Sequence, residues 1–266
     1  MRFFCVVFVF VLVSFAHAEP TQVRVGGYVF PPFVQLSTSG EWSGLTLDVL
    51  DAFNRMQSEF YFEFVPTAAT RRYRDFASEN YDLMLFENPS WGWEGYAVDS
   101  FEGPVLGRDV FIARARQGRG QEYFNDLQRK RIALFSGYHY AFANFNSDKS
   151  YLRDSHNAVI TFSAASNIQM VLRGRVELAI VTEAYLEDYL ARHPEYRGKL
   201  IVAEEADQHY RHFLILRKGA EPGLDFLRAL ADQISASGEL DRLLQQHYLR
   251  VLPGCCAASQ QEDGIE

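Results

Sequence analysis

Two clusters of aromatic, proline and glycine residues are the features of this 266-residue sequence best suited to contacting a ligand. The first is Tyr28–Phe33 (YVFPPF), which follows an apolar run ending at Gly26-Gly27, and the second is Asn88–Gly95 (NPSWGWEG). Proline stiffens a loop, and glycine lets the backbone approach other groups closely. Aromatic faces held on rigid loops suit a small flat or amphipathic ligand. These residues alone leave open whether the loops bind a ligand or pack into a core.

Charged side chains offer fewer distinctive patterns. Arg71, Arg72 and Arg74 follow Thr70 in a predicted short helix, where a solvated face is the ordinary role for such residues. His209 and His212 lie three residues apart, but a metal site needs further ligands and a geometry that the neighbouring sequence does not supply. Motifs of serine hydrolases, phosphate-binding loops, dinucleotide-binding folds and zinc peptidases are missing. We therefore expect no metal, no cofactor and no catalytic residues.

The N-terminal residues have the composition of a cleavable export signal. Met1-Arg2 is basic, Phe3–Phe15 is apolar, and Ala16-His17-Ala18 is a small-x-small cleavage site. Cleavage after Ala18 would leave a periplasmic protein, and 1–18 is predicted to be its signal peptide. Cys5 lies deep in this leader and not at the cleavage point.

Charge and cysteine content limit the possible partners. The chain carries a net charge of −8, from 26 basic and 34 acidic residues, and losing Arg2 with the leader makes it about −9. An acidic protein does not attract nucleic acid in bulk. Cys255 and Cys256 are adjacent in a polar tail at 251–266, so no disulfide framework is expected. Intermolecular pairing and an inert tail both remain open for them.

Apolar strands alternate with amphipathic helices along the remaining chain, the pattern of a parallel α/β sheet. A polar run, Arg114–Gln121, separates two such units. Strands are predicted at 23–27, 61–66, 81–86, 131–135, 159–162, 176–181, 200–202 and 212–217, and helices at 47–56, 70–76, around 141–145, 166–172 (capped by Ser166), 183–192, 223–234 and 238–248. The segments 101–104 and 109–114 have a different composition and are not assigned. Two lobes facing one cleft are the expected architecture.

The order of these motifs resembles the periplasmic solute-binding proteins of the polar amino-acid-binding type (family 3). After the YVFPPF loop, the segment Gly44–Val49 (GLTLDV) resembles a signature of that family, and Tyr81–Met84 and Gly174–Ala179 (GRVELA) resemble two of its strands. Phe213–Lys218 and the final helices are similar to its return strand and C-terminal helices. The resemblance covers about residues 22–248.

This resemblance implies a two-lobed α/β fold in which each lobe is a mostly parallel sheet flanked by helices. Lobe one would comprise 22–112 plus 213–250, and lobe two 118–205. Two hinge strands would join the lobes near 112–117 and 207–212. Such proteins close over a small ligand like a hinge. The expected partners are a small-molecule ligand and an inner-membrane permease, with the chain itself a monomer.

The residues that anchor an amino acid in that family match less well. The resemblance puts Gly95 where the family has a carboxylate-clamping arginine, Gly137-Tyr138 where it has a Gly-Thr turn, and Thr182 or Glu183 where it has an acid that holds the α-ammonium group. An ordinary α-amino acid is therefore in doubt. Arg71, on a segment that carries a cleft-facing arginine in some members, is the predicted replacement for the missing clamp.

We thus expect a non-enzymatic periplasmic protein that captures an amino acid or a related organic anion for an ABC importer. The candidate ligand-binding residues are Tyr28, Phe30, Phe33, Arg71, Trp91, Trp93, Tyr138, His139 and Glu183. Two alternatives remain: a periplasmic enzyme resembling cyclohexadienyl dehydratase, or a ligand-sensing protein without a transporter. The enzyme would need a carboxyl group as general acid, for which the candidates are Glu87, Glu94, Asp99, Glu102 and Glu183.

Overall fold

A computed structural model describes residues 19–249 of the chain. The predicted signal peptide and the tail with its cysteine pair lie outside these residues. The helices are α1 Leu45–Met56, α2 Arg72–Ala77, α3 Lys149–His156, α4 Ala164–Leu172, α5 Glu183–Arg192, α6 Leu224–Ala236 and α7 Glu239–Gln246. The strands are β1 Thr21–Gly27, β2 Gln35–Leu36, β3 Trp42–Ser43, β4 Phe60–Pro66, β5 Leu83–Glu87, β6 Val98–Arg114, β7 Ile132–Phe135, β8 Ala158–Thr161, β9 Leu178–Thr182 and β10 Leu200–Arg217.

Eight strands form one sheet in the order β4-β1-β5-β10-β6-β9-β7-β8, and β2 pairs with β3 in a separate hairpin. The outer strands pair in parallel on both sides, whereas β5, β10, β6 and β9 pair antiparallel in the centre. Parallel pairs need crossover connections, and helices provide them here. The predicted α/β class is confirmed.

The hydrophobic side chains separate into a core for each half of the sheet. One core draws on residues between 23 and 105 and between 210 and 249. Two clusters drawn from residues between 110 and 203 fill the other half. The long strands β6 and β10 pass from one half to the other between Val105 and Val110 and between Ala203 and Tyr210. In β6 this passage precedes the hinge expected at 112–117.

The two long strands correct the sequence-based prediction. Leu200–Val202 and 212–217 are predicted as separate strands, but they belong to one 18-residue strand, β10. The segments 101–104 and 109–114 likewise belong to the 17-residue strand β6. The polar middle of each strand interrupts the apolar pattern, because it lies between the two cores. The β6–β10 ladder nevertheless continues through it with local irregularities in register.

Two predicted helix caps are wrong, and the helix predicted around 141–145 is a short 3₁₀ turn, Ala141–Ala143. Helix α4 begins after Ser163, whose Oγ accepts the backbone N–H of Ser166 at 3.2 Å, so Ser163 and not Ser166 is the cap. Helix α2 begins after Arg71, with no side-chain cap from Thr70. Among residues 19–249 no helix has the length and apolarity needed to cross a membrane.

Candidate functional site

Loops from both halves converge on a small cavity beside the middle of the long strands. The first half contributes the loop after β1, helix α2 and the loop after β5, and the second half contributes the turn after β7. Loops at the carboxyl ends of strands are the usual ligand-binding edge of an open α/β sheet. The cavity measures about 10 Å³, roughly the space of one water molecule. It is lined by Tyr28, Phe30, Arg72, Trp91, Asp109, Tyr138, His139 and Gln208.

Hydrogen bonds to backbone carbonyl oxygens connect the halves around this cavity at three places. Tyr138 Oη donates to the carbonyl oxygen of Val29 at 2.8 Å. Thr182 Oγ1 donates to the carbonyl oxygen of Pro31 at 2.8 Å, and the guanidinium of Arg72 donates to the carbonyl of Gly137 at 3.2 Å. The halves are therefore closed on each other around this cavity, where side chains occupy most of the space.

Gly137 marks the closest approach of the second half to the first. Its φ is +82°, a left-handed conformation that favours glycine. A Cβ atom here would lie 2.9 Å from Thr70 Cγ2 and 3.1 Å from the carbonyl carbon of Ala69. A larger residue at this position would push the two halves apart.

Arg72 is the central cation of the site, and only 1% of the residue is exposed. Its Nη1 donates to the carbonyl oxygen of Ala69 at 2.6 Å, in addition to that of Gly137. Its Nη2 donates to the carbonyl oxygen of Trp91 at 3.2 Å and lies 3.4 Å from His139 Nδ1. Backbone carbonyls from both halves therefore occupy the ends of this guanidinium.

The charge of Arg72 is balanced by Glu87, which is equally buried. Arg72 Nε lies 3.6 Å from Glu87 Oε1, and the other carboxylate oxygen accepts the indole N–H of Trp93 at 2.8 Å. The guanidinium also lies 4.8 Å from the ring centre of Tyr28 and 4.4 Å from that of Tyr73. Such cation–π contacts further stabilise a buried cation.

Asp109 is the second buried carboxylate, and it lies in the middle of β6 with 5% of the residue exposed. Its Oδ2 accepts Gln208 Nε2 at 2.9 Å and its Oδ1 accepts Tyr210 Oη at 3.1 Å. Burial raises the pKa of Asp109 to about 7, and the nearby Asp207 carboxylate adds to the effect. Near neutral pH both the protonated and the ionised form of this group are therefore populated.

His139 supplies a neutral imidazole at neutral pH. Burial and the adjacent Arg72 guanidinium lower its pKa to about 4. Its backbone carbonyl accepts a hydrogen bond from Gln208 Nε2 at 2.8 Å. Gln208 thus ties the turn after β7 to the hinge region of β10 and at the same time to Asp109.

Five of the nine predicted ligand residues line the cavity, namely Tyr28, Phe30, Trp91, Tyr138 and His139. The ring of Phe30 is central to this group. Its centroid lies 5.3 Å from that of Tyr138 and 5.7 Å from that of Trp91, both edge-to-face. The YVFPPF loop therefore forms one wall of the cleft while its rings also pack into the core of the first half.

The other four predicted residues lie elsewhere. Phe33 is buried behind Phe30 against the ring of His212. Trp93 is buried against Tyr73 and Phe76.

Glu183 forms an ion pair with Arg108 beside a separate cavity. That cavity measures about 200 Å³. Arg71 has a half-exposed side chain whose Nε lies 4.0 Å from Asp75 Oδ2. Its predicted contact with a ligand stays a prediction.

The arginine that does line the cavity is the neighbour of the predicted one. Adjacent positions on a helix project about 100° apart. At the start of α2, the side chain of Arg71 therefore lies at the surface, whereas that of Arg72 is buried. The sequence-based prediction did not distinguish the two residues. A usable sequence signal was helical spacing: Arg72 lies three residues after Ala69 and four before Phe76, which are both apolar and are buried in the structure.

The positions that the family resemblance singled out have clear structural settings. Gly95 is exposed and has a φ of +87°, which disfavours an arginine there. Thr182 ends β9 and pairs directly with Asp109 across the β6–β9 ladder. Residues directly opposite each other on neighbouring strands project to the same face. A carboxylate therefore stands beside Thr182, although it belongs to another strand, and sequence spacing alone did not reveal it.

The carboxylates considered for an enzyme are dispersed. Glu87 is bound to Arg72, Glu102 pairs with Arg211, and Glu183 pairs with Arg108. Glu94 is exposed. Asp109, which sequence reasoning missed, is the carboxyl group that lines the cavity. The sequence signal for it was an acidic residue followed directly by the apolar run Val110–Ala113.

No protein-family model matches the chain, and no curated protein matches it in sequence. Solved structures do match its fold. A mutant of ArgBP from T. maritima aligns with a TM-score of 0.66 and 17% identity over 85% of this chain and 95% of that chain. The substrate binding protein of an amino acid ABC transporter aligns with a TM-score of 0.63 and 17% identity over 85% and 98%.

A third solved structure is the ancestral amino acid-binding protein AncCDT-1, a precursor of cyclohexadienyl dehydratase. It aligns with a TM-score of 0.62 and 16% identity over 85% of this chain and 95% of that chain. Alignments of this extent include both halves and the long strands between them. The chain therefore has the two-lobed α/β fold of the solute-binding proteins of ABC transporters, as its sequence motifs predicted.

Proposed function

We propose that this chain is a solute-binding protein that captures a small polar solute between its two lobes. The observation that carries the proposal is the shared cavity, to which both lobes contribute rings and hydrogen-bonding groups. A fold of this kind hosts several functions, so the site and not the fold must support the assignment. The similarity in fold to amino-acid-binding proteins of ABC transporters supports this proposal.

Binding requires the lobes to separate and close again. Pockets for small molecules usually measure about 300–1,000 Å³, much more than the cavity of about 10 Å³ in this closed structure. The solute would enter an open form and replace some of the contacts between Phe30, Trp91 and Tyr138. It would shift the equilibrium only by its preference for the closed form.

We further propose that the protein works in the periplasm and delivers its solute to an inner-membrane permease. The leader-like composition of 1–18 and the fold support this location. A thermal-shift screen of residues 19–266 over amino acids, amines, organic acids and aromatic acids is the primary test. A solute at 100-fold excess over its Kd should stabilise the fold by about 2.7 kcal/mol. The proposal fails if no solute raises the Tm.

Gly137→Ala should weaken binding of the identified solute at least tenfold without removing any contact to it. The added Cβ would collide with Thr70 and hold the lobes apart, so the closed form becomes less accessible. Isothermal titration measures the change in Kd, and small-angle scattering measures the degree of closure.

The matched control for this variant is Gly198→Ala. Gly198 has a similar φ of +74°, but a Cβ there would meet nothing within 4 Å. Both variants therefore carry the same kind of backbone strain, and only Gly137→Ala blocks the approach of the lobes. Equal affinities of the two variants would show that closure at Gly137 is not part of binding.

Catalysis in the same cleft is the second candidate function, and Asp109 is the observation that favours it. A carboxyl group with a pKa of about 7 can donate a proton at neutral pH, as a general acid must. Incubation with a cyclohexadienyl acid, followed by absorbance of an aromatic product, tests this function. Turnover that is lost in Asp109→Asn would replace the binding-protein assignment with an enzymatic one.

A further inference from the structure

The charges around the cavity are not balanced. Arg72 and Glu87 are both 1% exposed and form an ion pair, so together they add no net charge to the cleft. The ends of the guanidinium are also engaged by the carbonyl oxygens of Ala69, Trp91 and Gly137. Arg72 is therefore poorly placed to clamp an anionic ligand in the closed form.

Asp109 has no such counter-charge. Its hydrogen-bond donors, Gln208 and Tyr210, are neutral side chains. Among residues 19–249 no Lys, Arg or His nitrogen forms an ion pair with its carboxylate. A buried charge without a partner is strongly unfavourable, and a cation beside it relieves this cost. Each carboxylate oxygen retains room for a further donor, because each can accept two hydrogen bonds.

The walls of the cavity suit the same kind of group. Tyr28, Phe30, Trp91 and Tyr138 present aromatic rings, which attract cations through their π faces. The buried indole N–H of Trp91 has no acceptor within residues 19–249. This single neutral donor fits a neutral acceptor on a ligand, such as a hydroxyl or carbonyl oxygen.

We propose that Asp109 holds a cationic nitrogen of the solute, so that the cleft selects small amines or guanidines over organic anions. This inference rests on the proposed binding function and names its ligand class. The direct pairing of Asp109 with Thr182 fits this role, because β9 ends without an acid at Thr182 and the neighbouring strand β6 supplies one beside it. The positive charge of the solute would thereby neutralise the Asp109 carboxylate in the closed cleft.

Protons compete with such a ligand for Asp109. The groups that face this carboxyl are Gln208, Tyr210 and Asp207 on β10, Tyr138, His139 and Tyr140 from the turn after β7, and Tyr28 and Arg72 from the first lobe. Burial raises the pKa of Asp109 to about 7 and lowers that of His139 to about 4, so Asp109 changes charge near pH 7 and His139 does not. Burial also raises the pKa of Asp207. Affinity for an amine should therefore fall at least tenfold between pH 8 and pH 5.

A series of ligands that differ in one terminal group tests the inference. Amino alcohols, diols and hydroxy acids of two to six carbons share a hydroxyl and a chain length, but end in a cation, a neutral group or an anion. Amino alcohols should raise the Tm and give measurable Kd values, and the other two classes should not. In the broader screen, the tightest ligand should carry a cationic nitrogen.

Two variants locate the effect. Asp109→Asn should weaken amine binding at least about 30-fold, as expected when one partner of a buried charge pair is removed. Asp207→Asn is the matched control, because Asp207 accepts the backbone N–H groups of Ala141 and Phe142 and does not line the cavity. Its amine affinity should stay within about threefold of the parent value.

Four outcomes would overturn the inference. If the tightest ligand lacks a cationic nitrogen, or if Asp109→Asn binds amines as tightly as Asp207→Asn does, Asp109 is not the recognition group although the binding function stands. A parent Kd for amines that is independent of pH between 5 and 8 has the same meaning and needs no variant. If no solute of any charge binds, the proposed function fails as well.

Discussion

Replacing Arg72 with methionine should lower the free energy of unfolding by about 3–5 kcal/mol. The substitution keeps much of the apolar volume but leaves Glu87 buried at 1% exposure without its cation. It also leaves the carbonyl oxygens of Ala69 and Gly137 without the guanidinium donor, whereas that of Trp91 keeps the hydroxyl of Tyr73. Chemical denaturation of the parent and the variant, monitored by tryptophan fluorescence and far-ultraviolet circular dichroism, measures the difference.

The neighbouring residue provides the control. Arg71→Met changes the same residue type one position earlier, where the side chain is about half exposed, and should alter stability by no more than about 0.5 kcal/mol. The double variant Arg72→Met with Glu87→Gln should recover part of the loss, since it removes the unpaired carboxylate. Equal effects of Arg71→Met and Arg72→Met would contradict the assignment of Arg72 as the buried cation of the site.

Asp109→Asn should make the solute-free protein more stable than the parent at pH 8, by up to about 4 kcal/mol, and equally stable at pH 4. The ordinary pKa of an aspartate, which applies to the unfolded chain, is 3.8, and that of Asp109 in the folded protein is about 7. This difference is about three pH units, each worth 1.36 kcal/mol. Because the folded pKa is the higher one, the stability that protonated Asp109 contributes is fully present below pH 4 and is lost as the pH rises through 7.

Only the difference between parent and variant isolates this contribution. Burial lowers the pKa of His139 to about 4 and that of His212 to about 3. These histidines contribute stability at neutral pH that is lost as the pH falls, which opposes the trend from Asp109. Denaturant midpoints at half-unit steps from pH 4 to 8 give the required difference. A difference that does not change across this range would mean that Asp109 is hydrated and not buried in the closed cleft.

The local pattern of the sequence was sufficient to predict the α/β class. Apolar runs, alternation of apolar residues and helical spacing identify strands and helices wherever at least one face of an element is buried in a core. This condition holds in β1, β4, β5 and β7, which the sequence predicted within about two residues. It fails in the middle of β6 and β10, where the strands pass between two cores and the polar residues face the cleft and the hinge.

The sequence also indicated which loops line the cavity of the candidate site. The YVFPPF loop, Trp91 and the Tyr138-His139 turn all reach the cavity, because each follows a strand of the sheet and loops at this edge converge. Composition identified these loops through their rings, prolines and glycines. For these groups, local chemistry and position along the chain carried enough information.

The tertiary structure alone decided which charged side chains line the cavity. Arg71 and Arg72 are neighbours of the same type, and only the packing of α2 against the β5 loop buries Arg72 beside Glu87. Asp109 is one acid within a strand, and it becomes a functional candidate only because closure of the two lobes removes it from water without supplying a cation. Burial and charge balance depend on groups distant in the chain, so the sequence determined the walls of the cleft and the tertiary structure determined its electrostatics.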